Sequence, residues 1–158
     1  MKKLYVVGNR ASKSLSPTIF NYWFKKYNIK ASYGYLELTE KNFHNKIKDV
    51  LEKKDTLGLN VTIPFKNKII KHLGKIDAHA KKIGAVNCVT NKKTINGTNT
   101  DWTGYYKTLP NIKQTKNRKV IILGYGGASH AIHYVLKKRG FKDILIFNRS
   151  KKKIKYSK

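Results

Sequence analysis

The sequence predicts an α/β protein in two parts: a mostly parallel αβ sandwich over residues 1–100 and the beginning of a second α/β domain over residues 101–158. Three observations carry this prediction. Short apolar runs with strand character alternate with stretches of helical apolar spacing, a pattern that produces a parallel sheet covered by helices. A polar, basic stretch, Gln114 to Lys119, then breaks the pattern as a plausible domain boundary. Beyond it a new strand, Val120 to Leu123, runs into a glycine cluster and a further helix.

Taken in order, Leu4 to Val7 reads as a buried strand closed by Gly8 and Asn9. Ser16-Pro17 reads as a helix start, the serine capping and the proline in the first turn where a missing N–H costs nothing. Phe20, Trp23, Phe24 and Tyr27 follow at helical spacing. Ser32 to Leu38 alternates as a second strand, and Thr39 can cap a helix carrying Phe43, Ile47, Val50 and Leu51 on one face. Leu57 to Ile63 is a third strand, broken by Pro64. Ile69, Ile70 and Leu73 suggest a helix ending at Gly74. A short helix over Ala78 to Lys82 leads into Ala85 to Thr90, which a turn at Asn91 to Lys93 pairs with Thr94 to Thr98 as an antiparallel edge. After the boundary, Ala128 to Arg139 reads as a helix stopped by Gly140, and Ile144 to Phe147 as the next strand.

Composition narrows the function classes. Apolar residues make up 40% of the 158-residue chain, enough to bury a core, so high charge does not imply disorder. The 35 Lys and Arg against 8 Asp and Glu give a net charge of +27, which invites a nucleic-acid reading. Only four of the basic residues are arginine (Arg10, Arg118, Arg139, Arg149), whereas base and phosphate recognition favours the planar guanidinium fork. The lysines run along the whole chain and read as a solvated surface that attracts small anions rather than as a specific nucleic-acid site. The single cysteine, Cys88, excludes an intrachain disulfide and a thiolate metal cluster, so no metal is expected and a cytoplasmic location fits. No run approaches the roughly 18 apolar residues of a membrane span, and the four apolar residues after Lys3 are too few for a signal-peptide core.

Gly124-Tyr125-Gly126-Gly127-Ala128-Ser129 lies between a strand and a helix, where a Rossmann-type dinucleotide fold binds pyrophosphate. Gly124 permits the tight turn, Gly126 lets backbone approach the ligand, and the helix N-terminus offers unpaired N–H groups and a favourable dipole. Ser129 replaces the third glycine of the usual pattern, and an ordinary glycine-rich turn stays open as the alternative. The next strand ends at Asn148-Arg149-Ser150-Lys151 with no carboxylate to bind the ribose 2′-hydroxyl of NAD. Its guanidinium, hydroxyl and ammonium suit a 2′-phosphate, which favours NADP(H), unless Arg149 and Lys151 belong to the general basic surface.

Ser14-Leu15-Ser16-Pro17, Asn60-Val61-Thr62-Ile63-Pro64-Phe65-Lys66, Gly84-Ala85-Val86-Asn87, Asn99-Thr100-Asp101, the glycine loop and Asn148-Arg149-Ser150 are six motifs in one order. In that order the chain resembles the shikimate dehydrogenases, from Gly8 to about Lys153. The resemblance implies a substrate-binding domain at 1–100, an incomplete Rossmann-type NADP-binding domain at 101–158, and interconversion of 3-dehydroshikimate and shikimate in chorismate and aromatic amino-acid biosynthesis. It assigns Ser14 and Ser16 to the substrate carboxylate, Thr62 and Asn87 to the ring hydroxyls, and Lys66 and Asp101 to catalysis. Residues alone leave Ser16 equally a plain helix cap, and Thr62 and Asn87 ordinary polar positions. Trp102 stands where the family has a small residue after Asn-Thr-Asp. The family continues beyond this chain, so a fragment that binds shikimate without catalysis is one alternative, and a quinate-accepting relative another. Monomer and homodimer both stay open.

Overall fold

The computed structural model describes residues 1–110 and 118–149. It divides into one compact unit, Met1–Thr100, and a second that begins at Asp101. The first unit runs β1 (Lys2–Gly8), a 3-10 turn (Ala11–Lys13), α1 (Ser16–Lys26), β2 (Ala31–Glu37), α2 (Phe43–Leu51) and β3 (Thr56–Val61). A second 3-10 turn (Ile69–His72), β4 (Lys75–Ile76), α3 (Ala78–Ile83) and the hairpin β5 (Cys88–Asn91) and β6 (Ile95–Thr98) complete it.

The six strands form one sheet in the order β2-β1-β3-β5-β6-β4. β1 pairs parallel with both β2 and β3, and β4 parallel with β6, while the β5–β6 hairpin is antiparallel and joins β3 through Asn60 opposite Cys88. The expected α/β class and mostly parallel sheet are therefore present. Two expectations are corrected. Ile69–His72 is a 3-10 turn rather than a longer helix, because Leu73 is extended and Gly74 donates its N–H to Ile95 O at 2.9 Å, turning the chain into β4. The hairpin is not the sheet edge either, since β4 pairs beyond it.

Burial follows the apolar pattern. On one face α2 buries Phe43, Ile47, Val50 and Leu51 against Val7, Leu59, Val61, Phe65 and Val89. Each such side chain contributes about 1.5–3 kcal/mol when removed from water. Thr39 opens α2 by exchanging hydrogen bonds with Asn42: Thr39 N–H donates to Asn42 Oδ1 at 2.9 Å and Asn42 N–H to Thr39 Oγ1 at 3.4 Å. Asp77 starts α3 by accepting from the His79 and Ala80 N–H groups at 2.7 and 2.9 Å.

On the other face Val6, Ala11 and Tyr33 meet α1. Of the four aromatics at helical spacing, Phe20 and Phe24 pack there, whereas Trp23 and Tyr27 are exposed. Phe20 stacks on Tyr33 at 4.7 Å between centroids. The adjacent Asn21 amide donates to Tyr33 O at 2.8 Å and accepts from Tyr33 N–H at 2.9 Å, standing in for a neighbouring strand on the edge strand β2.

The second unit holds α4 (Asp101–Thr108), β7 (Lys119–Leu123), α5 (Gly127–Lys138) and β8 (Asp143–Phe147). β7 and β8 pair in parallel, and Ile122, Ile144 and Ile146 bury one face with Leu136 and Phe141. The opposite face leaves Ile121, Leu123, Leu145 and Phe147 exposed, as a two-stranded sheet predicts. Helix α4 was not expected from sequence. Trp102 meets Tyr134 edge-on at 5.9 Å, and the Arg139 guanidinium lies 3.9 Å above the Tyr106 ring while donating to Tyr106 O at 3.1 Å. Among the described residues no helix is long and apolar enough to cross a membrane, and no group of three His, Cys, Asp or Glu side chains could hold a metal.

Candidate active site

The C-terminal ends of β1 and β3 and the turn before β5 line an open cavity of about 460 Å³ in the first unit. Ligands gather at such strand ends because the loops that leave them converge there. Ser14, Ser16, Thr62, Lys66 and Asn87, taken from scattered motifs, all line it. Backbone bonds draw these positions together. Thr62 N–H donates to Val7 O at 2.8 Å, Val61 N–H to Asn87 O at 2.8 Å, and Val86 N–H to Lys66 O at 2.7 Å. Phe65 N–H donates to Thr62 O at 2.9 Å, closing a turn that includes the cis Ile63–Pro64 bond. The Phe65 ring, fully buried and stacked on Phe43 at 4.2 Å, anchors the segment that carries Lys66.

Local bonds orient several of the side chains. Ser14 Oγ accepts the Ser16 N–H at 3.2 Å, so Ser14 rather than Ser16 caps the start of α1. This corrects the expected cap: Ser16 already lies inside the helix. Tyr33 donates to Asn60 Oδ1 at 2.6 Å. Burial pushes its pKa up to about 12, with the Cys88 thiol adding to the rise and the Ser16 hydroxyl opposing it. Asn87 donates through Nδ2 to Thr100 Oγ1 at 3.0 Å and accepts the Thr100 N–H at 2.8 Å, which fixes its amide.

Three further polar lining residues were not named as site residues in the sequence reading: Arg10, Lys13 and Asn60. Asn60 opens a motif already singled out, and its alternation with Thr62 on one strand was the available signal. Arg10 and Lys13 were hidden by the lysine-rich background. The same turn carries Ser12, whose N–H and hydroxyl both donate to the Glu37 carboxylate. Those bonds hold the Glu37 pKa below the usual carboxylate range, helped by Lys13 and Arg10.

In the second unit Asp101 is the first residue of α4, where a carboxylate complements the helix dipole. The glycine loop ends β7 and opens α5. Gly124 adopts φ 92°, and a side chain added at Gly124 or Gly126 would meet no atom within 4 Å. The open space beside these glycines suits a ligand that approaches the backbone. Gly126 precedes the α5 N-terminus without a side-chain cap, leaving N–H groups for a phosphate. Asn148 Oδ1 accepts the Tyr125 N–H at 3.2 Å, tying the loop to the end of β8, and the Tyr125 ring rests 4.3 Å from His130. Gly127, Ala128 and Ser129 form the first turn of α5, and Arg149 is exposed just past β8. Ser150 and Lys151 lie outside the described residues. These groups fit a dinucleotide: a glycine-lined helix start for the pyrophosphate and a guanidinium, with no acid, at the second strand end.

Comparison with known proteins agrees. The family model described as the shikimate dehydrogenase substrate binding domain matches residues 6–89. The shikimate dehydrogenase (NADP(+)) of Pelagibacter ubique is 39% identical over 161 residues, covering 97% of this chain and 58% of that protein. That of Thermotoga maritima is 36% identical over 148 residues, covering 94% and 55%. The crystal structure of the Aquifex aeolicus shikimate dehydrogenase superposes with a TM-score of 0.82 at 35% identity, covering 96% of this chain and 57% of that one. The Thermus thermophilus shikimate 5-dehydrogenase, solved in complex with NADP(H) and shikimate, gives 0.77 at 27% identity, covering 95% and 57%. The chain spans somewhat over half the length of these relatives. With residues 6–89 matched to its substrate-binding domain and the likeness continuing through the glycine loop, the chain belongs to the shikimate dehydrogenase family.

Proposed function

We propose that this chain carries the substrate-binding domain, residues 1–100, and the start of the NADP-binding domain, residues 101–158, of a shikimate dehydrogenase that interconverts 3-dehydroshikimate and shikimate. The convergence of Ser14, Ser16, Thr62, Lys66 and Asn87 on one cavity supports the reading most directly. NADPH, when bound, supplies the hydride for the ketone. Ser14 and Ser16 hold the substrate carboxylate by charge-assisted hydrogen bonds, and Thr62 and Asn87 the ring hydroxyls. The ketone oxygen becomes an alkoxide as it is reduced, and Lys66 stabilises that charge and delivers the proton. Asp101, assigned to catalysis with Lys66 by the family motif, orients the ammonium or shares in the proton transfer. Arg149, with Ser150 and Lys151, binds the 2′-phosphate, while Gly124, Gly126, Gly127, Ala128, Ser129 and Asn148 shape the pyrophosphate site. The unpaired Cys88 is consistent with a reducing cytoplasm.

Two measurements on the purified chain test the proposal: shikimate binding by calorimetry and NADPH formation from shikimate and NADP. Binding with turnover, and loss of turnover but retention of binding in Lys66→Ala, is the expected result. Normal turnover in that variant removes Lys66 from the mechanism, and no shikimate binding by the unaltered chain overturns the substrate assignment.

A further inference from the structure

Among the described residues the cavity lining holds three cations, Arg10, Lys13 and Lys66, and not one carboxylate. Lys66 stands beyond β3, whereas Arg10 precedes and Lys13 ends the 3-10 turn that delivers Ser14. That turn is held from outside by Glu37, the last residue of β2, through the Ser12 N–H at 3.1 Å and the Ser12 hydroxyl. Glu37 is the carboxylate that Lys13 and Arg10 act on, and one anion against two cations leaves the turn positive. Arginine is rare in this chain, four residues among 35 basic ones, so its presence at the cavity mouth is not the lysine background repeated.

We propose that Arg10 and Lys13 are specificity-determining residues that select anionic over neutral forms of the ring substrate, adding long-range attraction to the short-range bonds of Ser14 and Ser16. The inference rests on the substrate assignment proposed above. An exposed ammonium or guanidinium facing a carboxylate acts weakly through water and is screened by salt. Arg10 and Lys13 therefore change the affinity for a charged ligand by a modest factor that depends on ionic strength, and leave that for an uncharged isostere alone.

The test is calorimetric binding of shikimate and of its neutral methyl ester to the full chain and to Arg10→Gln and Lys13→Gln, with thermal melts as a control for folding. At about 0.01 M salt, where the screening length is about 30 Å, each variant is expected to bind shikimate about 1.4- to fivefold more weakly, the range of an exposed charge pair. Near 1 M salt, where that length is about 3 Å, the difference should vanish, and the ester should bind all three proteins alike. Unchanged shikimate affinity in both variants overturns the inference while the unaltered chain's binding upholds the substrate assignment. Equal weakening of shikimate and ester also overturns it, because the two residues would then act through shape. Absence of shikimate binding by the unaltered chain defeats the assignment and the inference together.

Discussion

Phe65 tests how the fold builds the cavity. Its side chain is fully buried, its ring stacks on Phe43 at 4.2 Å and 13°, and it sits between Thr62 and Lys66 in sequence. Phe65→Ala removes the ring from a packed site, and truncations of this kind cost about 3–5 kcal/mol. About 0.5–1.5 kcal/mol of that belongs to the aromatic pair itself. A domain is typically stable by about 5–15 kcal/mol, so the alanine variant should lose a large share of its stability. Phe65→Leu preserves most of the volume and should cost about 1–1.5 kcal/mol. Urea unfolding followed by tryptophan emission measures both. Trp23 lies in the first unit and Trp102 in the second, so a Trp102→Phe background leaves a probe of the first alone. Shikimate affinity should fall in the same order, alanine below leucine, because Phe65 positions the backbone of Thr62 and Lys66. A midpoint for Phe65→Ala within about 0.5 kcal/mol of the parent, the range of an ordinary surface change, would refute the anchoring role.

Three further outcomes are expected. Gly58→Ala puts a Cβ 2.4 Å from Val89 O, forcing β3 and β5 apart, and should cost about 1–3 kcal/mol; an unshifted thermal midpoint would show that the strands can separate freely. His72, whose Nε2 lies 2.8 Å from His44 Nδ1, has its pKa held below the ordinary 6.5 by burial, then by His44 and Lys71. The folded chain thus resists protonation there, so the stability from His72 is complete above pH 6.5 and is lost as pH falls from 6.5 toward the depressed value. Urea midpoints taken between about pH 5 and 8 should show a shallower acid loss in His72→Gln, and identical slopes would count against this role. Ile121, Leu123, Leu145 and Phe147 leave one face of the β7–β8 sheet open, so the chain should bind a hydrophobic dye and associate with rising concentration. Leu123→Lys with Phe147→Lys should suppress both, as fluorescence and light scattering would report.

Elements with a full amphipathic period were legible in the sequence. Helix α2 announces its four inward positions, and β1, β3, β7 and β8 their apolar runs. β4 is two residues long, too short to carry any period, and only its pairing with β6 defines it. Helix α4 went unseen because Asn99-Thr100-Asp101 drew attention as a motif, although Trp102, Tyr105 and Tyr106 have helical spacing. In α1, spacing alone could not tell Phe20 and Phe24, which meet Val6 and Tyr33, from the exposed Trp23 and Tyr27. The five substrate-domain residues named from motifs do share one cavity, but nothing local in sequence announced Arg10 and Lys13, since a lysine-rich chain supplies charge everywhere.

Three of the bonds that frame the cavity run between main-chain groups alone: Thr62 to Val7, Val61 to Asn87, Val86 to Lys66. Such bonds do not depend on which side chains project from those positions. The frame can therefore be inherited intact while the groups facing the ligand are exchanged one at a time, each change altering recognition without first having to rebuild the scaffold. Arg10 and Lys13 mark where such drift is easiest, on a turn fastened at its back by Glu37 and open at its front.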